Sequence, residues 1–171
     1  SSHAYDEKNI EIAKVKRLGY PLYYYSEFIE KFFKQTKIGV SGTHGKTTVT
    51  TILKSLLPKG KTTYLIGDGN GGGIKDYQYF VFEACEYKNN FHRYTFDYLI
   101  INNIELDHPD FFKSIDEVIE SFQVASNNSK YLIINGDDLN TQKINHPNKI
   151  TFGFNKDNDI QWPGNNKWIS N

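Results

Sequence analysis

Methionine is missing altogether from these 171 residues, arginine occurs only as Arg17 and Arg93, and cysteine only as Cys85. Each scarcity excludes something. A single cysteine rules out an intrachain disulfide and suits a reducing compartment, so the expected location is the cytoplasm. With two arginines among 20 basic residues, arginine-finger chemistry has few candidates. No apolar run reaches membrane-spanning length and no signal-peptide pattern occurs, so no membrane is expected as a partner. Neither sign of charge is in excess, because Lys+Arg and Asp+Glu both number 20. A neutral balance without a basic run argues against nucleic acid as the main partner, since binding a phosphate backbone needs surplus Lys and Arg. Without a methionine even at position 1, the chain is expected to be a piece of a longer one. Its length suits one good-sized domain, or one domain with part of another. Composition says nothing of oligomeric state.

Glycine, by contrast, is concentrated. The stretch "GVSGTHGKTTVT" at 39–50 brackets Thr43 and His44 with Gly42 and Gly45, then places Lys46, Thr47 and Thr48 directly before a helical pattern. Glycine lets backbone approach a ligand closely, and a helix N-terminus presents free N–H groups to an anion. Lysine adds a point charge, and the hydroxyl after it can reach a metal ion. This combination holds a nucleotide triphosphate. The standard phosphate-loop pattern asks for a further glycine where Val40 stands, so the version here, Gly42-Thr43-His44-Gly45-Lys46-Thr47-Thr48, is tighter. Its context fits: Lys37-Ile38-Gly39-Val40 reads as a short buried strand. Val49, Ile52, Leu53, Leu56 and Leu57 then recur at helical spacing until Pro58. The alternative is an ordinary strand-to-helix turn with an incidental lysine.

Upstream, residues 7–18 read as a helix ended by Gly19, "PLYYY" (21–25) as a strand, and Ser26 as the N-cap of a second helix through Phe33. This piece is too small to bury a core alone and reads as the tail of an α/β domain. Residues 34–37 would be the linker. Downstream, strands are expected at 61–66, 77–84, 97–104, 130–136 and 148–154, with a helix at 114–126 carrying Ile115, Val118, Ile119 and Phe122 on one face. The end, "WPGNNKWISN", shows no periodicity. Apolar strands alternating with helices imply an α/β fold with a mostly parallel sheet and helices on both faces.

Ligands in such sheets sit beyond the carboxyl ends of the strands. The glycine loop, "EACEY" (83–87) and "NNIELDHPD" (102–110) all fall there. Glu83 and His108 are thus candidate ligands for the magnesium that accompanies a triphosphate, with Glu86, Glu105 and Asp107 as weaker ones. Histidine is uncommon on magnesium, so spacing alone favours a structural His108. Cys85 reads as core, and His44 as serving loop geometry.

In this order, "GTHGKTT", "EACEY" and "NNIELDHPDFF", with "YLIGDG" and "INGDD" beside them, resemble the Mur ligases over residues 1 to about 160. The resemblance implies a phosphate-loop central domain of a three-domain enzyme. Residues 1–36 would end the first, UDP-sugar-binding domain, and 37–171 would form part of the central ATP-binding domain, with the C-terminal domain absent. It implies ATP and Mg2+ as cofactors and UDP-N-acetylmuramate and L-alanine as substrates, joined through an acyl phosphate. Lys46 would contact the β- and γ-phosphates and Thr47 would bind magnesium. Glu83 and His108 would hold a second magnesium beside the sugar's carboxylate, and Lys46, Glu83 and His108 would be the catalytic set. Similar ligases often carry arginines where Lys88, Asn89 and Asn90 stand. Two alternatives remain: a sister ligase joining a preformed peptide to the same sugar during wall recycling, and a nucleotide-binding module without ligase activity. These 171 residues alone are expected to be inactive in ligation.

Overall fold

A computed structural model describes residues 9–162 and the backbone of 169–170. Helices α1 (Ile10–Arg17) and α2 (Tyr25–Phe32) precede strand β1 (Thr36–Ser41), helix α3 (Lys46–Leu56) and strand β2 (Thr62–Leu65). There follow β3 (Gly71–Gly72), β4 (Tyr79–Glu83), β5 (Phe96–Ile101), α4 (Ile115–Asn127), β6 (Ser129–Asn135), β7 (Lys149–Gly153), β8 (Ile160–Gln161) and β9 (Ile169–Ser170). Among the described residues these strands form one nine-stranded sheet in the order β3-β2-β4-β1-β5-β6-β7-β8-β9. All neighbours are parallel except the outermost pairs, β2 with β3 and β8 with β9. The expected α/β fold with a mostly parallel sheet is the observed one.

Alternation along the central strands divides the core into two layers. Phe80 and Phe82 of β4 face one side, where they join Phe96, Leu99 and Ile101 of β5, Ile29 of α2, and Val118, Phe122 and Ala125 of α4. Val81 faces the other side with Ile38 and Val40 of β1 and Ile100, under Val49 and Leu53 of α3. Helices therefore cover both faces. Helix α4 starts at Ser114, whose hydroxyl accepts the Glu117 N–H at 3.2 Å, and acidic Asp116 and Glu117 in its first turn complement the helix dipole.

The segment "PLYYY" is not a strand. Residues 21–24 belong to no regular element, and Tyr25 opens α2. The carboxylate of Glu27 accepts the Tyr24 N–H at 2.8 Å, which commits the backbone to a helix start two residues before the expected cap, Ser26. Ser26 is buried inside the helix instead. Part of the glycine-rich stretch 67–73 contributes β3, and β9 lies within the C-terminal stretch that shows no periodicity. Residues 7 and 8 of the first expected helix lie outside the described residues.

Helix α2 is fastened to the sheet through a buried ion pair. Lys37, at the start of β1, donates to Glu30 of α2 at 2.6 Å and to the Thr95 hydroxyl at 2.6 Å, and Glu30 also accepts the Thr95 N–H and hydroxyl. Burial works against the Glu30 charge, but Lys37 and the Thr95 donors outweigh it and hold the carboxyl below its usual range. A carboxyl lowered by folding contributes stability above its unfolded pKa, and that stability is lost as pH falls through the folded value. The loss thus begins below about 4.5, the ordinary value of a glutamate carboxyl. Glu30→Gln is expected to melt lower at neutral pH, because Lys37 is left buried, yet to lose less on acidification than the wild type. Melting curves from neutral pH down to about 3 check this, and parallel acid profiles would contradict it.

Candidate active site

Strands β4, β1 and β5 are neighbours, so the segments that leave their carboxyl ends converge. Beyond β1, residues 42–45 turn sharply into α3. Gly42 at φ 125° and Gly45 at φ 80° hold backbone angles that disfavour any side chain, and Gly45 is the N-cap of α3 with no side chain capping it. The N-terminal amides of α3 thus point outward at a helix N-terminus, as an anion site requires.

The loop is braced from the β5 end. Asn102 N–H bonds the Ser41 carbonyl and Thr43 N–H bonds the Asn103 carbonyl, each at 3.1 Å. The Asn103 side chain accepts the His44 N–H at 2.8 Å, and both asparagine amides donate to the His44 carbonyl at 3.2 Å. Thr43 lies buried with its hydroxyl exchanging hydrogen bonds with the Glu105 backbone. His44 serves loop geometry as expected, but through its backbone. Its ring is exposed, 3.7 Å from Glu105.

Lys46 is mostly buried and points back under the loop. Its ammonium donates to the Gly42 carbonyl at 2.7 Å and the Thr43 carbonyl at 3.2 Å, and it meets both carboxylate oxygens of Glu86 at 3.1 and 3.2 Å. Thr47 and Thr48 are exposed in the first turn of α3.

Glu86 also faces His108, whose Nε2 lies 3.6 Å away. One donor atom each from Glu86, Asp107 and His108 lies within 4.8 Å of the others, a spacing at which they could share a cation. Two carboxylates and an imidazole suit a divalent ion. His108 sits at φ 53°, an uncommon angle for a residue other than glycine, and its ring stacks on Tyr87 with centroids 4.4 Å apart. The Tyr87 hydroxyl in turn donates to Asp110.

Glu83 does not belong to that cluster. At the end of β4 its carboxylate accepts the Gly67 N–H at 2.6 Å, and a Cβ on Gly67 would come within 2.6 Å of it. Of the two glutamates, Glu86 rather than Glu83 faces His108. The reason is local: Glu83 still follows the strand, whereas Glu86 lies past its end, where the chain turns under the glycine loop.

Beside these groups lies a cavity of about 560 Å³, walled by Tyr25 of α2, Ile66, Glu83, Tyr87 and Tyr94, with Lys46 at its edge. Cys85 lies at this cavity, exposed, and so is not core. Burial and the charges of Glu86 and Glu83 push its thiol up, away from a nucleophilic thiolate. Burial and the Glu83 charge push the Tyr25 hydroxyl up to about 12, leaving it a donor.

A glycine loop between a parallel strand and a helix, with a mostly buried lysine and a carboxylate–histidine cluster at adjacent strand ends, is the arrangement that a phosphate site in an α/β domain requires. The sequence matches the Mur ligase middle domain family over residues 40–168, and the chain belongs to that family. Its fold resembles the UDP-N-acetylmuramate:L-alanyl-gamma-D-glutamyl-meso-diaminopimelate ligase of Neisseria meningitides at 20% identity and TM-score 0.75, with 92% of this chain covered. It also resembles the UDP-N-acetylmuramate-alanine ligase MurC of Thermotoga maritima at 26% identity and TM-score 0.70, again over 92% of this chain. A third relative is the MurF ligase of Thermotoga maritima in complex with ADP, at 23% identity and TM-score 0.65, covering 80% of this chain and 36% of the other. The chain spans 58% and 38% of the first two proteins. Among the described residues, no helix is long and apolar enough to cross a membrane.

Proposed function

We propose that this chain supplies the nucleotide-phosphate site of an ATP-dependent ligase that joins the lactyl carboxylate of UDP-N-acetylmuramate to the amine of L-alanine. One observation carries the reading: Lys46 lies under the glycine loop, between an open helix N-terminus and the Glu86–Asp107–His108 cluster, at the edge of a cavity large enough for part of a substrate. Phosphoryl transfer to a carboxylate needs positioning and charge neutralisation rather than a protein nucleophile. The α3 amides and Lys46 would receive the β- and γ-phosphates. Magnesium would be held by Thr47, with Asp107 and His108 as further candidate ligands, and it would neutralise charge on the phosphates. The lactyl carboxylate would sit in the cavity, where the Tyr25 hydroxyl can donate to it, and would take the γ-phosphoryl group as ADP leaves. The acyl phosphate then meets the incoming amine, and inorganic phosphate leaves.

Residues 1–36 are proposed to end a UDP-sugar-binding domain and 37–171 to form part of the ATP-binding one. Tyr25 and Ser26 of α2 line the same cavity as Lys46, which supports placing the junction at the site. The relative of highest TM-score given above takes a peptide instead of alanine, so attachment of a preformed peptide is a second reading. Isothermal titration of these 171 residues with a non-hydrolysable ATP analogue is expected to give weak, magnesium-dependent binding and no ligation. Binding indifferent to magnesium, or none, would contradict the assignment. In the intact protein, phosphate release with UDP-N-acetylmuramate and either L-alanine or a tripeptide decides between the two acceptors.

A further inference from the structure

We propose that Glu86 is a positioning residue for Lys46, a role that rests on the nucleotide reading above. Glu86 is 2% exposed, the most thoroughly buried acidic side chain of the site. Among the described residues the hydrogen bonds to its carboxylate come from Lys46 alone, and the His108 Nε2 lies 3.6 Å from it. Among those residues it caps no backbone N–H and its side chain closes no turn. A carboxylate buried without such a structural duty persists because its charge is matched. Here the match is the phosphate-loop lysine.

Lysine carries a long flexible stem with a point charge, so an unguided Lys46 would sample many positions. The Gly42 and Thr43 carbonyls and the two Glu86 oxygens together fix its ammonium below the loop. The same pairing ties up the ammonium, so a bound phosphate must compete with Glu86 for it. Through Lys46, Glu86 thus opposes ground-state nucleotide binding while keeping the lysine oriented for transfer. Substituting Glu86→Gln removes the competition and the orientation together. A residue needed only for folding would show the opposite sign, since damage to the site weakens binding.

The test is isothermal titration of the chain with a magnesium-bound, non-hydrolysable ATP analogue, using wild type, E86Q, K46M and the double variant. E86Q is expected to tighten binding about threefold to tenfold, and K46M to weaken it about tenfold or more. Because Glu86 acts through Lys46, the double variant should bind like K46M, a non-additivity that the cycle measures directly. In the intact ligase E86Q should lower kcat and nucleotide KM together. E86D, which keeps the charge but withdraws it from Lys46, should also tighten binding and serves if E86Q misfolds. Weakened or unchanged affinity in these single Glu86 variants, or an E86Q effect that persists in full on K46M, overturns the proposal. A wild type that binds no nucleotide overturns the functional reading beneath it, whereas additive variants of a binding wild type overturn this proposal alone.

Discussion

Lys46→Ala is expected to lower nucleotide-dependent turnover of the intact enzyme by about 10² to 10³, the loss that accompanies removal of one preorganised charge from a transition state. The structure adds a second consequence. Lys46 is not a free surface lysine: its side chain is 18% exposed and faces a Glu86 side chain that is 3% exposed. Breaking such a pair from one side leaves a buried carboxylate unmatched, at a cost of about 3 kcal/mol or more. For a protein of this size that corresponds to a drop of about 6–12 °C in melting temperature. Initial rates and melting temperatures measured side by side check both halves. Turnover within tenfold of wild type would refute the phosphate-loop assignment, and an unshifted melting temperature would show that Glu86 finds another partner.

Much of this was legible in the sequence because it is local. The strand at 36–41, the turn at 42–45 and the helix from Lys46 are consecutive, and glycine position, apolar period and Pro58 mark each of them. The parallel sheet followed from apolar strands alternating with helices, and α4 from the spacing of Ile115, Val118, Ile119 and Phe122. What sequence reasoning missed is non-local. Asn102 and Asn103 brace the glycine loop across roughly 60 residues of chain, and nothing in their neighbourhood announces a partner. The choice between Glu83 and Glu86 turned on where β4 stops: alternation favoured the residue at the strand's end, but the chain turns just beyond it and carries Glu86 under Lys46. Tyr23 and Tyr24 have strand propensity but no neighbouring strand to pair with, so the helix start set by Glu27 prevailed. Cys85 looked like core from its apolar neighbours, yet it follows the last strand residue and faces the cavity.

The bracing of the loop makes Gly42 the position where backbone geometry and chemistry meet. Its φ of 125° is one that only glycine adopts readily, and a Cβ there would lie 3.1 Å from both Asn102 N and Asn103 O. Those atoms are backbone, locked by the Asn102 to Ser41 and Thr43 to Asn103 hydrogen bonds, so they cannot rotate away as a side-chain tip would. Gly42→Ala must therefore push the loop off the end of β5. The Gly42 carbonyl, which receives the Lys46 ammonium at 2.7 Å, moves with it. The expected cost is about 1–3 kcal/mol in stability, from strain and crowding. Function should suffer more, because a displacement of about 1 Å in a positioning group can cost a hundredfold. Nucleotide affinity is thus expected to fall by about two orders of magnitude while the protein remains folded. Gly60→Ala is the control: nothing lies within 4 Å of its added methyl group and its φ is not left-handed, so stability should change by no more than about 0.5 kcal/mol and affinity not at all. Titration with nucleotide and thermal melting of the two variants check the contrast. A Gly42→Ala protein that binds as tightly as the wild type would show that the loop can shift without losing its grip on phosphate, and that the tight 42–45 turn is not what places Lys46.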